Sequence, residues 1–337
     1  MKWNHQLKSD TLTWLLEEKD PGVRYLALRD LMGLPGDDPD LITAREIAHR
    51  EGPIAKILDV MKPEGYWVTP GAGYSCKYKS GVWSLIMLAQ LGASVEMDER
   101  LHLACRYLVD HALAESGQFS TDGTPSGTID CLHGNMCAAL LDMGYQDFRL
   151  EQALDWMGRS VTGEGIAPLE DKRTSRRYYP SQCGPVFACG HNNRLSCAWG
   201  GAKVLLALGK IPPEFRTPQI ERAITTAIDF FLVIDPLLAD YPTRLGRKPS
   251  PNWWNFGFPV FYVTDILQIL EAFAGLGLLN EPRLVNALEY VRDKQDQNGR
   301  WALEYDYKTW VDFGPKKQPN KWVTYRAVKV LMQSNIT

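Results

Sequence analysis

Five soft metal-binding side chains crowd two short stretches of this chain: Cys131 and His133 in DCLHGN (130–135), and Cys183, Cys189 and His191 in CGPVFACGHNN (183–193). Both stretches carry Gly and lead into apolar helical runs, LLDMG and VLLALG. Zinc takes four ligands from thiolate, imidazole or carboxylate, in a closed site when structural and with one open position when catalytic. Cys131 with His133, and Cys183 with Cys189, would supply two ligands each. The expected set is therefore Cys131, Cys183 and Cys189 with His133 as the fourth, and His191 as its substitute. An open zinc could polarise an oxygen or activate a water or thiol. The spacing matches no standard zinc finger, and the plainer alternative is packed thiols around a hydrogen-bonded core histidine. Metal leads because the donors fall in Gly-flanked stretches, whereas Cys105 and Cys137 lie within helical apolar patterns and are expected in the core.

With a closed zinc, acid–base chemistry would fall to Asp265, Asp130, His191 or Tyr262. A carboxylate beside an apolar cavity has its neutral form favoured, as a proton donor requires; the competing reading of Asp265 is the N-cap of its own helix. Aromatic residues concentrate in NWWNFGFPVFY (252–262). Such a segment could shield carbocations by cation–π attraction or stack on sugar rings. Trp253 and Trp254 are the expected substrate contacts, joined by Asn192, Tyr179 and Arg326, whereas Trp67, Trp83, Trp301 and Trp322 are expected as packing anchors. The insertion RTSRRYYPSQ (173–182), with Arg176, Arg177, Tyr178 and Tyr179, is a solvated loop or a lid.

The elements that position these residues repeat. An aromatic turn with Gly precedes an apolar helix ending in Leu-Gly or Met-Gly: GYW then KSGVWSLIMLAQLG, GQF then DCLHGNMCAALLDMG, and RLSCAWGGAKVLLALG. Two further copies are NWWNFGFPVFYVTDILQILEAFAGLG, and NGRW with KWVTYRAVKVLMQ. Between them run helices with one wet face, such as FRLEQALDWMGRS and TPQIERAITTAIDFFL. One fully apolar and one half-exposed helix per repeat predicts an array of helical hairpins. The last copy stays apolar almost to the end, so closure is favoured over an open solenoid. The expected fold is all-α, an α/α toroid of about six hairpins with inner and outer rings around an aromatic-lined cavity. Residues 1–60 are expected to pack on it as a helical segment, and 61–337 to form the toroid as one continuous domain.

The 337 residues are 45% hydrophobic and 23% charged, with net charge −3. No basic block suits nucleic acid or an anionic membrane, and no span or leader signal is visible, so a cytoplasmic location is expected. Seven cysteines, an odd number, suit reduced thiols.

GYW with VWSLIMLAQLG, and QDQNGRWALE with KWVTYRAVKVL, resemble the prenyltransferase and squalene-cyclase repeat, a Gln-rich turn, Gly-x-Trp and a buried helix, over roughly residues 60–335. The cyclases' DxDD acid motif is absent, and Asp265 in YVTDILQIL is the nearest equivalent acid. Protein prenyltransferases hold zinc through Asp, Cys and His, residue types present here in Asp130, Cys131 and His133. Lanthionine-type cyclases hold zinc beside Cys-His-Gly, to which CLHG (131–134) is similar. The resemblance implies a zinc-containing cyclase- or transferase-like enzyme on an apolar, prenyl-type small molecule, with no nucleotide cofactor. The alternatives are a carbohydrate-active lyase or hydrolase, and a non-catalytic binding toroid with structural zinc.

Overall fold

A computed structural model describes residues 6–165, 183–244 and 248–334. The chain first forms α1 (Thr11–Leu15), α2 (Pro21–Leu26) with a π-helical continuation Ala27–Leu31, α3 (Pro39–Arg50) and α4 (Pro53–Leu58). Then come α5 (Gly81–Gln90), α6 (Glu99–Ala112), α7 (Asp130–Asp142) and α8 (Phe148–Thr162). After a two-stranded hairpin, β1 (Ala188–Cys189) with β2 (Leu195–Ser196), follow α9 (Ala198–Leu208), α10 (Pro218–Leu232), α11 (Ile266–Gly275), α12 (Val285–Asp293) and α13 (Lys321–Leu331).

The two helix types of the sequence take two places. In α5 every residue from Gly81 to Ala89 is buried, and α7 is buried from Asp130 to Leu140. By contrast α6, α8, α10 and α12 keep one exposed stripe. An apolar helix can shed water on all sides only inside a second layer. Accordingly α5, α7, α9, α11 and α13 pack each against the next, and α13 packs against α2 and its continuation. Gly92, just past α5, faces Leu26 and Tyr25. These contacts close an α/α toroid, and the sixth inner helix is α2. Within the amino-terminal sixty residues, α2 packs with α3 as a further helix pair.

Outer helices repeat a start signal. Asp98 and Asp147 cap α6 and α8 through the N–H groups of Arg100 and Arg149. The same arginines reach the preceding outer layer, at Asp59 and Asp110. The aromatic turns repeat as well: Trp67 Nε1 donates to Ile57 O at 2.8 Å and Trp301 Nε1 to Val291 O at 2.7 Å. Trp67, Trp83, Trp301 and Trp322 are all buried, the anchors their repeat positions predict.

Candidate active site at the N-terminal mouth

The inner helices run parallel, so the ring has one mouth at their N-termini and one at their C-termini. At the first, α7 meets α9 unusually closely. A Cβ added to Gly134 would lie 2.4 Å from the carbonyl carbon of Lys203, and one at Gly200 would lie 3.0 Å from Asp130 Cβ. Only glycine at this crossing allows the contact. It brings the first turn of α7 (Asp130, Cys131) against the start of α9 and the hairpin before it (Cys189, Cys197), with Cys183 beside Asp130.

Asp130 is buried, and its Oδ2 has no hydrogen-bond partner among the described residues. Burial, reinforced by the neighbouring Cys189, holds its carboxyl well above the usual range, which favours the neutral acid. Burial also pushes the Cys131 thiol up to about 12. Cys189 is half-buried and differs: the neighbouring Cys197 thiol, with the nearby Asn192 and His191 backbone, pulls it down to about 6. Cys197, at the N-cap of α9, is correspondingly raised. One turn deeper lies Lys203, fully buried, its Nζ donating to Gln268 Oε1 and its pKa lowered to about 7 by burial. Cys197 and Lys203 are site residues that the sequence reading misses. A lysine inside the otherwise apolar AWGGAKVLLALG is the available signal.

Beside Cys131 stand Tyr74 and Tyr262, with ring centroids 6.1 Å apart; the Tyr262 hydroxyl is buried with no hydrogen-bond partner among the described residues. Trp83 is 5.0 Å from Tyr262, and Tyr78 is 4.4 Å from Tyr307. The aromatic residues at this end pack on one another. A cavity of about 460 Å³ lies at the opposite mouth, lined by Arg29, Asn135, Glu271 and Lys329 together with apolar residues such as Leu26 and Phe258. Asn135 Nδ2, buried in its wall, has no partner among the described residues.

Several expected site residues are otherwise engaged. His133 accepts at Nδ1 from the Phe119 N–H (2.9 Å), and its Nε2 faces Ala153 O at 2.9 Å. With both nitrogens used, it is the hydrogen-bonded core histidine and not a fourth ligand. In the last repeat Thr324 has the equivalent role, accepting from Trp301 N–H at 2.9 Å. His191 is exposed on the hairpin turn. Among the described residues no three His, Cys, Asp or Glu side chains converge as a metal site. Asp265 is fully buried and caps α11 through Gln268 N–H (2.7 Å); it also accepts from Tyr305 Oη (3.0 Å) and pairs with Arg326 at 3.2 Å. Arg326 is tied further to Glu271 and Gly257 O. Asp265 is thus the N-cap of the plainer reading, and Arg326 is structural. Asn192 donates to Ser196 O and Pro242 O and accepts from Arg244 N–H, pinning the hairpin. Trp253 is buried with Nε1 on Pro236 O, and Trp254 bonds Leu237 O, which makes both packing residues. Tyr179 and the rest of the 173–182 insertion lie outside the described residues. Cys105 and Cys137 are core, as expected.

No protein-family model matches this chain, and no curated protein matches it. Among solved structures, the chain is similar to the type II terpene cyclase MstE from Scytonema in its apo form, at 14% identity and a TM-score of 0.32, covering 86% of this chain and 97% of that one. A variant of that cyclase in complex with its substrate, geranylgeranyl dihydroxybenzoate, gives 12% identity and a TM-score of 0.34 over 86% and 96% of the two chains.

Proposed function

We propose that this toroid is a cyclase-like enzyme on a largely apolar, prenyl-type small molecule, and that Asp130 at the N-terminal mouth is its Brønsted acid. The observation that carries this reading is a buried carboxyl with one oxygen unpartnered among the described residues, in the turn of α7 whose Cys131 neighbours Tyr74 and Tyr262. A neutral acid in a dry setting can protonate an electron-rich carbon–carbon double bond, which a hydrated carboxylate cannot. The faces of Tyr74, Trp83 and Tyr262 would stabilise the resulting cation. Loss of a proton from the product cation to solvent, and reprotonation of Asp130 from solvent, balance the cycle, so the reaction is an isomerisation. Zinc is not needed for it. The thiols Cys131, Cys183 and Cys189 remain the donors to examine by metal analysis, without His133.

The test compares wild type with Asp130→Asn on a panel of prenyl-bearing aromatics, beginning with geranylgeranyl dihydroxybenzoate. Turnover in the variant is expected to fall by about 100-fold or more. The variant is also expected to be more stable at neutral pH, by about 1–2 kcal/mol, because it removes a buried acid that deprotonation would strand. The sign follows from the raised pKa: the native state holds its proton more tightly than the unfolded chain. Asp130 therefore costs stability as pH rises above the ordinary carboxylate range, and the gain from Asn should grow with pH. Full turnover in Asp130→Asn would end the proposal.

A second reading, a binding toroid, is favoured by the unpartnered Asn135 Nδ2 in the opposite cavity. It predicts ligand-induced stabilisation lost in Asn135→Ala and kept in Asp130→Asn.

A further inference from the structure

The cavity at the C-terminal mouth keeps its unsatisfied polarity at its inner end. Asn135, in the second turn of α7, is only 4% exposed, and its Nδ2 has no hydrogen-bond partner among the described residues. Gln268, in the first turn of α11, is equally buried and lines the same cavity. Its Oε1 accepts from Lys203 Nζ and Thr264 Oγ1. With the oxygen occupied by two donors, the amide nitrogen and its N–H groups are the end left over. The two amides flank Lys203: Gln268 holds its side chain, and Gly134, next to Asn135, packs against its backbone. From this floor to the mouth, Asn135 to Asp142 on α7 and Gln268 to Gly275 on α11, the depth is about 10 Å at the helical rise. The walls between carry apolar residues such as Ile86, Ala138, Leu206 and Ala274. The charged residues that line the cavity are already paired, Arg29 and Lys329 with Asp30, Lys210 with Asp142, and Arg326 with Glu271. The inner helices also end at this mouth, and their C-terminal carbonyls offer an anion no attraction.

A buried amide N–H without an acceptor is unfavourable, and with its nitrogen unheld the Asn135 amide can turn about its terminal torsion toward the cavity. Two amide nitrogens in one floor suit a carbonyl oxygen, whose two lone pairs accept two donors. A charged ligand would lose its water without meeting a free counter-charge. We propose that this cavity binds an uncharged small molecule with a carbonyl head and an apolar body about two helical turns long. Asn135 and Gln268 hold the head, and the body lies along the apolar walls. Gln268 sets the specificity, because Lys203 and Thr264 fix which end of its amide it presents. The proposal rests on the binding reading of this cavity and is independent of proton transfer at Asp130.

The experiment titrates the full-length protein with three probes that share an eight-carbon chain and differ in the head: octanamide, octanoate and octylammonium. Isothermal titration calorimetry is expected to rank octanamide first, by about tenfold or more over either charged probe. In nitrogen-15-labelled protein, the side-chain amide signals of Asn135 and Gln268 should shift as octanamide binds. In Asn135→Ala the affinity for octanamide should fall by about five- to tenfold, the loss of one buried hydrogen bond. Preference for octanoate or octylammonium, with those two amide signals shifting, overturns the carbonyl head and leaves a binding cavity. Octanamide held equally well by Asn135→Ala, or bound by the wild type with both signals unmoved, overturns the assignment of the head to Asn135 and Gln268. No binding by any of the three overturns the proposal and the binding reading together. The wild-type ranking and the amide shifts decide the matter even if Asn135→Ala fails to fold.

Discussion

At the scale of single residues, burial and hydrogen-bond partners separate the two kinds of polar group at the N-terminal mouth. His133 is a histidine whose role is fixed by its neighbours. Burial lowers its pKa to about 4, with the Phe119 N–H on one nitrogen and Ala153 O facing the other. Its folded pKa lies below the unfolded value of about 6.5, so the native state binds fewer protons between the two. The stability it contributes is whole above pH 6.5 and is lost as pH falls toward 4, by about 2–3 kcal/mol. Urea titrations across that range should show the loss in wild type and a flatter profile in His133→Gln, which keeps a donor and an acceptor but does not titrate. Equal slopes in the two proteins would mean that other groups carry the acid sensitivity. The type and spacing of Cys131 and His133 suggest paired ligands, yet the helix turns them apart: one faces the mouth and the other stitches its helix to an aromatic turn.

At the scale of elements, the α7–α9 crossing decides what meets. Gly134 is where the two backbones touch, and Gly200 is where Asp130 fits against α9. Gly134→Ala forces a carbon against the Lys203 peptide, backbone against backbone, with no flexible side chain to yield. A cost of about 3 kcal/mol is expected, at the upper end for overpacking, because the helices must separate. Separation would also loosen the Lys203–Gln268 hydrogen bond. Circular dichroism melts should show the drop in midpoint, and a midpoint within a degree of wild type would show that the crossing is more yielding than its geometry implies. The alternation of fully apolar and half-wet helices was legible in the sequence, because burial on all sides demands apolar residues on all sides. Which helix face met which neighbour was not legible, because a glycine at a crossing looks like any glycine in a helix.

At the scale of the whole molecule, closure depends on the meeting of the first and last hairpins. Asp30 accepts from Arg29, Lys329 and Tyr325, and these partners hold its carboxyl well below the usual range. The group thus adds stability that is present above the unfolded carboxylate pKa and is lost in acid. Asp30→Ala leaves two cations facing each other. Since Arg29 and Lys329 are 38% and 40% exposed, solvent screens some of the cost, and about 2–3 kcal/mol is expected instead of the larger loss at a dry pair. Hydrogen exchange should rise first in Ala27–Leu31 and α13, where the ring opens. Unchanged protection of α13 in the variant would place the weak point elsewhere.

The sequence by itself determined the helix types, their alternation, the repeat turns with their tryptophan anchors, and closure. Each of these follows from local periodicity or from apolar surface that must find cover. Tertiary structure alone decided which polar residues are free to act. Asp265, Arg326, Asn192, Trp253 and His133 have chemically capable side chains, but distant backbone and charged partners occupy them. Asp130 lies against the start of α9, and the Lys203 backbone against Gly134, because two glycines let α7 and α9 touch, and a contact between residues about seventy positions apart leaves no mark in local spacing.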